Sequence, residues 1–306
     1  MSSTSALVPD FNQLIAPGAV LSTHSTGYGY AEGPIWHPTE HFLLFSDIIG
    51  STRQRFVPGE PVCRVRDSTN NANGMTYDRD LNLLICEHAT SSVVRQRPDG
   101  TRETIASHFE GAELNSPNDV VVRADGSIYF SDPDYGRTAP GFGPPRDCAL
   151  GFRGVYRVAP DGALSLCVER DRYGQPNGLC FSPDESLLYV NDSPNALIDV
   201  YEVASDGSLG DRRRFAEQIG DGDMTRGIPD GMKCDEHGNI WVTGPGGVWV
   251  FDPGGTHLGT VQVPEVVGNL HWGGRDWRTL FIPSTTSLYS IPVLVGPHPE
   301  PFMSAG

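Results

Sequence analysis

The sequence predicts an all-β protein, a six-bladed β-propeller with four-stranded antiparallel blades. Three observations carry that expectation. Of the 306 residues, 36 are glycine and 25 proline, about a fifth of the chain against roughly an eighth in average usage, yet 38% are hydrophobic. Many short core-forming segments joined by many turns follow from that composition. A segment grammar recurs six times at spacings of about 40 to 60 residues, the period of propeller blades. Each recurrence contains two hairpins, hence four strands.

The six openings are Ala31-Glu32-Gly33-Pro34, Asn73-Gly74, Pro117-Asn118-Asp119, Pro176-Asn177-Gly178, Pro229-Asp230-Gly231 and Gly268-Asn269. In the third unit Asn118-Asp119 leads into VVVR, turns on Ala124-Asp125-Gly126 and returns as SIYFSD. Asp-Gly between two β-branched runs is a strong hairpin signal. The fifth unit repeats it through MKCD, Glu236-His237-Gly238 and NIWVTG, and the fourth through LCFS, Pro183-Asp184-Glu185 and SLLYVND. Second hairpins follow, as in GVYRV, Ala159-Pro160-Asp161-Gly162, ALSLCV. No composition shift divides the chain, so residues 1–306 read as one domain. The segment of about 12–30 has no opening of its own and is expected to complete the last blade. Residues 132–152, rich in Gly and Pro, read as an insert over the top face.

Charge narrows the partners. Lys plus Arg total 22 against 38 Asp plus Glu, a formal charge of −16. Nucleic acid and anionic membrane are therefore excluded as expected partners. Lys233 is the only lysine, which leaves little room for Schiff-base or P-loop chemistry. No apolar run of transmembrane length and no secretory leader pattern is visible, so a cytoplasmic location is expected. The six cysteines are scattered without a CxxC spacing and read as buried free thiols. No G-x-S-x-G elbow and no dinucleotide or P-loop fingerprint occurs. Trp36, and Trp272 with Trp277, read as core between blades.

In a propeller all openings converge at one end of the central channel. Glu32, Asn73, Asn118, Asp119, Asn177, Asp230 and Asn269 would then form a ring of oxygen donors, with His271 at the last blade's inner strand. The ends of the second strands, at Asp47, Glu87-His88, Asp132 and Asn191-Asp192, return to the same rim. Carboxylates plus amide oxygens suit a hard divalent cation such as Ca²⁺ or Mg²⁺ rather than a Cys/His zinc site. The fold expectation thus includes a central metal site, although Asn, Asp, Pro and Gly also form turns. Spacing alone does not choose between ligands and blade connections. On the same rim, His88 and Tyr135 are expected substrate contacts.

AEGPIW (31–36), SPNDVVVRADGSIYFSDPDYG (116–136), QPNGLCFSPDESLLYVNDS (175–193), GIPDGMKCDEHGNIWVTG (227–244) and NLHWGGRDWRTLFIPSTTSLYSI (269–291) resemble the senescence marker protein (regucalcin)/gluconolactonase family, the bacterial gluconolactonase-like branch in particular. The resemblance implies a six-bladed propeller with one catalytic divalent cation, Ca²⁺ foremost, with Mg²⁺, Mn²⁺ or Zn²⁺ as substitutes. It implies hydrolysis of a small-molecule lactone, such as gluconolactone. By the same resemblance Glu32, Asn177 and Asp230 are metal ligands, Asp230 is also the general base, and Asn118 contacts substrate or water. Ser116 stands where animal members carry an arginine. Two alternatives use the same ring: a phosphotriesterase-like hydrolase, and a non-catalytic calcium-binding regulatory propeller. Oligomeric state is not legible.

Overall fold

The computed structural model describes residues 3–304. Six antiparallel sheets follow one another around a central channel, each running from an inner to an outer strand. Blade 1 is Ala31–Trp36, Leu43–Asp47, Thr52–Phe56 and Cys63–Asp67, and blade 2 is Ala72–Tyr77, Leu83–Glu87, Ser92–Gln96 and Arg102–Ala106. Blade 3 is Val120–Val122, Ile128–Asp132, Gly154–Val158 and Leu164–Leu166. Blade 4 is Pro176–Phe181, Leu187–Asp192, Leu197–Val203 and Leu209–Ala216. Blade 5 is Met232–Cys234, Ile240–Gly244, Gly247–Phe251 and His257–Gln262, and blade 6 takes His271–Gly273, Thr279–Ser284 and Ser287–Pro292 from the far end of the chain. Its outer strand is Ser22–Thr26, which pairs with Ser287–Pro292 and ties the two ends of the repeat together.

Blade 5 departs from the four-strand expectation, because Thr4–Ala6 adds a fifth strand to its outer edge. Three residues without an alternating apolar pattern carry no readable strand signal. Between blades the sheets pack through alternate side chains, as where Ile35, Met75, Tyr77 and Ile85 meet between blades 1 and 2. Trp36 and Trp272 are buried in this core. The cysteines are all free, but Cys63 is exposed and Cys148 and Cys167 are half-buried, so only Cys86, Cys180 and Cys234 match the buried reading. Cys63 lies on the exposed outer strand of blade 1, Cys148 in the top-face insert, and Cys167 at the rim of the core beyond the last strand of blade 3. No described helix is long and apolar enough to cross a membrane.

Around the channel the blades are stitched by backbone hydrogen bonds from the glycine that follows a ring residue. Gly74 N–H donates to the Asn118 carbonyl at 2.8 Å, and Gly178 N–H to the Asp230 carbonyl at 3.1 Å. A Cβ on Gly178 would lie 2.2 Å from that oxygen, and one on Gly74 2.4 Å from the Asn118 oxygen. The Asn-Gly pairs are therefore inter-blade joints and not free turns.

The second-strand termini lie beside the openings, with Ala31 opposite Asp47, Ala72 opposite Glu87 and Pro176 opposite Asp192. Several of their carboxylates serve the backbone. Asp47 Oδ1 accepts from the amides of Gly29, Tyr30 and Gly50, and Asp192 accepts from Gly174 and Gln175. These bonds hold the segments that deliver ring residues to the mouth.

Residues 132–152 cross the top face, starting with the short helix Tyr135–Thr138. Arg137 is buried and staples them down, donating to the carbonyls of Leu114, Asn115 and Asp147, to Ser91 Oγ and to the Glu113 carboxylate. At the other end of the channel runs the C-terminal segment. His298 N–H donates to the Cys234 carbonyl at 3.1 Å, Glu300 meets His271 Nε2 at 3.3 Å, and Phe302 is buried against Tyr77 and Trp277.

Candidate metal centre

Five of the seven ring residues line one small cavity at the channel mouth: Glu32, Asn73, Asn118, Asn177 and Asp230. Its volume is about 20 Å³, and its upper wall is Tyr30, Ile48, Tyr135, Phe142, Met224 and Ile228. That is room for one water or one ion. A groove of about 610 Å³ lies elsewhere, between Thr23, Trp36, Phe56 and Arg275, remote from the ring. Size alone does not make it the site, since the convergent buried polar groups are at the small cavity.

Asp119, Asn269 and His271 are corrections to the expected ring. Asp119 gives Oδ1 to the Val120 amide and Oδ2 to Lys233 Nζ at 3.5 Å. Asn269 accepts from the Leu270 amide at 2.8 Å and donates to Glu32 Oε2 at 3.0 Å, so it orients a ring carboxylate. His271 bonds the Trp272 carbonyl at 2.6 Å and faces Glu300, toward the opposite end. Each of the three is turned by a partner that the repeat pattern does not encode.

Glu32 is held on one side only. Its Oε2 accepts from Gly33 N–H and Asn269. Burial raises its pKa well above the usual carboxylate range, and the charges of Asp230 and Asp119 add to the rise. Asp230 is pushed up to about 7, first by burial, with the charge of Asp119 adding, while contacts from Tyr30 and Asn177 oppose the shift. Tyr30 donates to Asp230 Oδ2 at 3.3 Å. Its own pKa is raised by burial and by Asp230 and Glu32, so the phenol stays protonated as a donor. The basic side chains within the channel are committed elsewhere, Lys233 to Asp119 and His271 to Glu300. Two buried carboxylates sharing one small cavity repel each other, and a cation between them removes that cost.

The amides point the same way. Asn177 Nδ2 donates to Ser193 Oγ at 3.1 Å, and Ser193 donates to the Pro229 carbonyl at 2.6 Å. The Asn177 Oδ1 that remains is buried without a partner, and so is Asn73 Oδ1. Orphaned amide oxygens beside two carboxylates are the donor set of a hard cation. Among the described residues no three carboxylate, imidazole or thiol groups converge on one point, so amide oxygens must complete any ligand set here. The residues present fit a divalent ion.

Tyr135 lies in the cavity wall, half-buried, with its pKa raised chiefly by burial. His88 stands behind the wall. It is fully buried, its Nδ1 is 2.9 Å from the Phe142 carbonyl and its Nε2 is 3.3 Å from Asn73 Nδ2. Burial lowers its pKa to about 4, which leaves the ring neutral near pH 7. Sequence reasoning missed Tyr30, Phe142, Met224 and Ser193. Only Tyr30, directly before the first opening, carried a positional signal.

Comparison with known proteins gives concordant matches. The family model described as "SMP-30/Gluconolactonase/LRE-like region" matches residues 30–286. The chain is 31% identical over 283 residues to a gluconolactonase of Zymomonas mobilis, covering 86% of this chain and 78% of that protein. It is 32% identical over 263 residues to a pentonolactonase of Haloferax volcanii, covering 82% and 80%. The solved structure of a gluconolactonase from Xanthomonas campestris superposes with a TM-score of 0.86 at 32% identity, covering 96% of this chain and 95% of that one.

Proposed function

The chain belongs to the SMP-30/gluconolactonase/LRE-like family, and from that premise we propose that it is a metal-dependent lactonase that opens the ester ring of a sugar lactone such as gluconolactone. The observation that carries the metal dependence is the pair of buried carboxylates, Glu32 and Asp230, around a cavity of about 20 Å³ that also receives unpartnered amide oxygen. Glu32, Asn177 and Asp230 would hold the ion, Ca²⁺ foremost, with Mg²⁺, Mn²⁺ or Zn²⁺ as substitutes. When bound, it supplies Lewis acidity toward the lactone carbonyl and favours ionisation of water.

The chain's own groups do the rest. Asp230 takes the proton of the attacking water, with Tyr30 fixing its Oδ2. Asn118, at the cavity wall, steadies the oxygen on which charge develops. As water adds to the carbonyl carbon the π pair moves onto the carbonyl oxygen; its return breaks the ring C–O bond, and the proton held by Asp230 passes to the leaving alkoxide, giving a hydroxy acid. Tyr135, above the ring, contacts the sugar hydroxyls or that alkoxide. The cavity admits an ion or a water but not a lactone, so the wall of Tyr135, Phe142 and Met224 must move outward as substrate enters.

The test is hydrolysis of gluconolactone, pentonolactones, γ-butyrolactone and dihydrocoumarin, followed with a pH indicator before and after EDTA and after Ca²⁺ is returned. Turnover that EDTA abolishes and Ca²⁺ restores supports the reading. No turnover of any lactone with any divalent metal would sink it.

A further inference from the structure

We propose that Asn73 is a further ligand of the ion, and that His88 positions it by dictating which end of its amide faces the cavity. The proposal rests on the metal-dependent reading above and goes beyond it by naming a ligand from blade 2 and the residue that orients it.

Hydrogen-bond logic fixes the orientation. The Phe142 carbonyl can only accept, so the His88 nitrogen 2.9 Å from it, Nδ1, must be the N–H donor. In the neutral ring Nε2 is then the acceptor, and its partner at 3.3 Å must be a donor, which in Asn73 is Nδ2. The amide is thereby turned with Oδ1 away from His88. Asn73 is 2% exposed, its Oδ1 has no partner, and the residue lines the same cavity of about 20 Å³ as Glu32, Asn177 and Asp230. A buried carbonyl oxygen without a partner is costly unless something in the cavity satisfies it. Ser193, after the second strand of blade 4, accepts from Asn177 Nδ2 in a similar way, and Asn177 Oδ1 has no partner. Both amides are held at the nitrogen end, Asn73 by His88 and Asn177 by Ser193 together with Asp230, and in both Oδ1 has no partner.

Phe142 belongs to the top-face segment whose neighbouring Gly141 carbonyl accepts from Asn71 Nδ2 at 3.3 Å. Asn73's orientation is therefore wired to the seating of that segment. When the wall moves and Phe142 leaves His88, Nδ1–H loses its partner and the tautomer that fixes Asn73 is no longer held.

The experiment measures Ca²⁺ affinity by titration calorimetry on the EDTA-stripped full chain, with circular dichroism melts confirming that each variant folds. Asn73→Ala is expected to weaken Ca²⁺ binding on the order of 10-fold to 100-fold, and His88→Asn, which keeps a donor toward Phe142 but gives Asn73 no acceptor, about 10-fold. His88→Gln places an acceptor oxygen near the Nε2 position and is expected to hold the Ca²⁺ Kd within about twofold of the unmodified protein. If the unmodified chain binds Ca²⁺ and Asn73→Ala binds it equally well, this inference fails and the lactonase reading stands. If His88→Asn and His88→Gln weaken binding equally, the positioning role is overturned. If the unmodified chain binds no divalent ion, both readings fall together.

Discussion

Asp230 is asked to be a ligand, a proton acceptor and, through its backbone carbonyl, a joint between blades 4 and 5. Its side chain receives Tyr30 and its carbonyl receives Gly178 and Asn191. Removing the carboxylate in Asp230→Ala should lower kcat/KM by about 10²-fold to 10⁴-fold, and Asn118→Ala should lower kcat by on the order of 10²-fold, both read in the pH-indicator assay. At this scale the sequence made Glu32, Asn73, Asn118, Asn177 and Asp230 legible as cavity-lining residues, because each sits at the start of a repeat. Asp119 and Asn269 occupy the same kind of position and have the same residue types. What separates them is a partner arriving from another blade, Lys233 in one case and Glu32 in the other. Periodicity places a side chain on a rim but does not tell which neighbour claims it.

Two elements control the mouth, the glycine joints and the stapled top segment. A methyl at residue 178 would sit 2.2 Å from the Asp230 carbonyl oxygen and 2.8 Å from Asn191 Nδ2, neither of which can move alone. Gly178→Ala is expected to cost about 1–3 kcal/mol or more in a denaturant melt, and to weaken Ca²⁺ binding because Asp230 is displaced. Arg137→Ala removes the donor shared by three carbonyls and the Glu113 carboxylate. On the order of 3 kcal/mol of local stability should go with it, seen as new limited-proteolysis cuts between residues 139 and 147 while the blades stay intact. The strand grammar and the Gly/Pro-rich insert could be read from composition and turn chemistry. The staple could not, because an arginine in a Gly/Pro-rich insert gives no hint that it is buried, and the three-residue edge strand at Thr4–Ala6 is too short to show a period.

Across the whole molecule, the closed ring forces like charges together and leaves the solution conditions to settle the balance. Glu32 and Asp230 have folded pKa values above their unfolded ones, so each contributes less stability as pH rises above the ordinary carboxylate range, and for Asp230 the loss runs through about 7. In metal-free protein the melting-temperature advantage of Asp230→Asn over the unmodified chain should therefore grow between pH 5 and 8, levelling off above about 7. An advantage that stays flat or shrinks with pH would contradict the raised Asp230 pKa. In the unmodified chain the melting-temperature increment from Ca²⁺ should rise over the same interval, since below it the ion must displace a proton.

The C-terminal segment runs across the far end of the channel. Phe302 packs against His271 and Glu300 pairs with it there, so the end opposite the mouth is built of committed side chains, and the mouth is the end at which the ring residues meet solvent-side groups. A lactone arrives uncharged and leaves as the anion of a hydroxy acid, inside a protein whose formal charge is −16. The same electrostatic field that ignores the incoming molecule pushes the outgoing one away, so departure is assisted. Raising the ionic strength should screen that push and tighten inhibition by added hydroxy acid, while leaving KM for the lactone nearly unmoved.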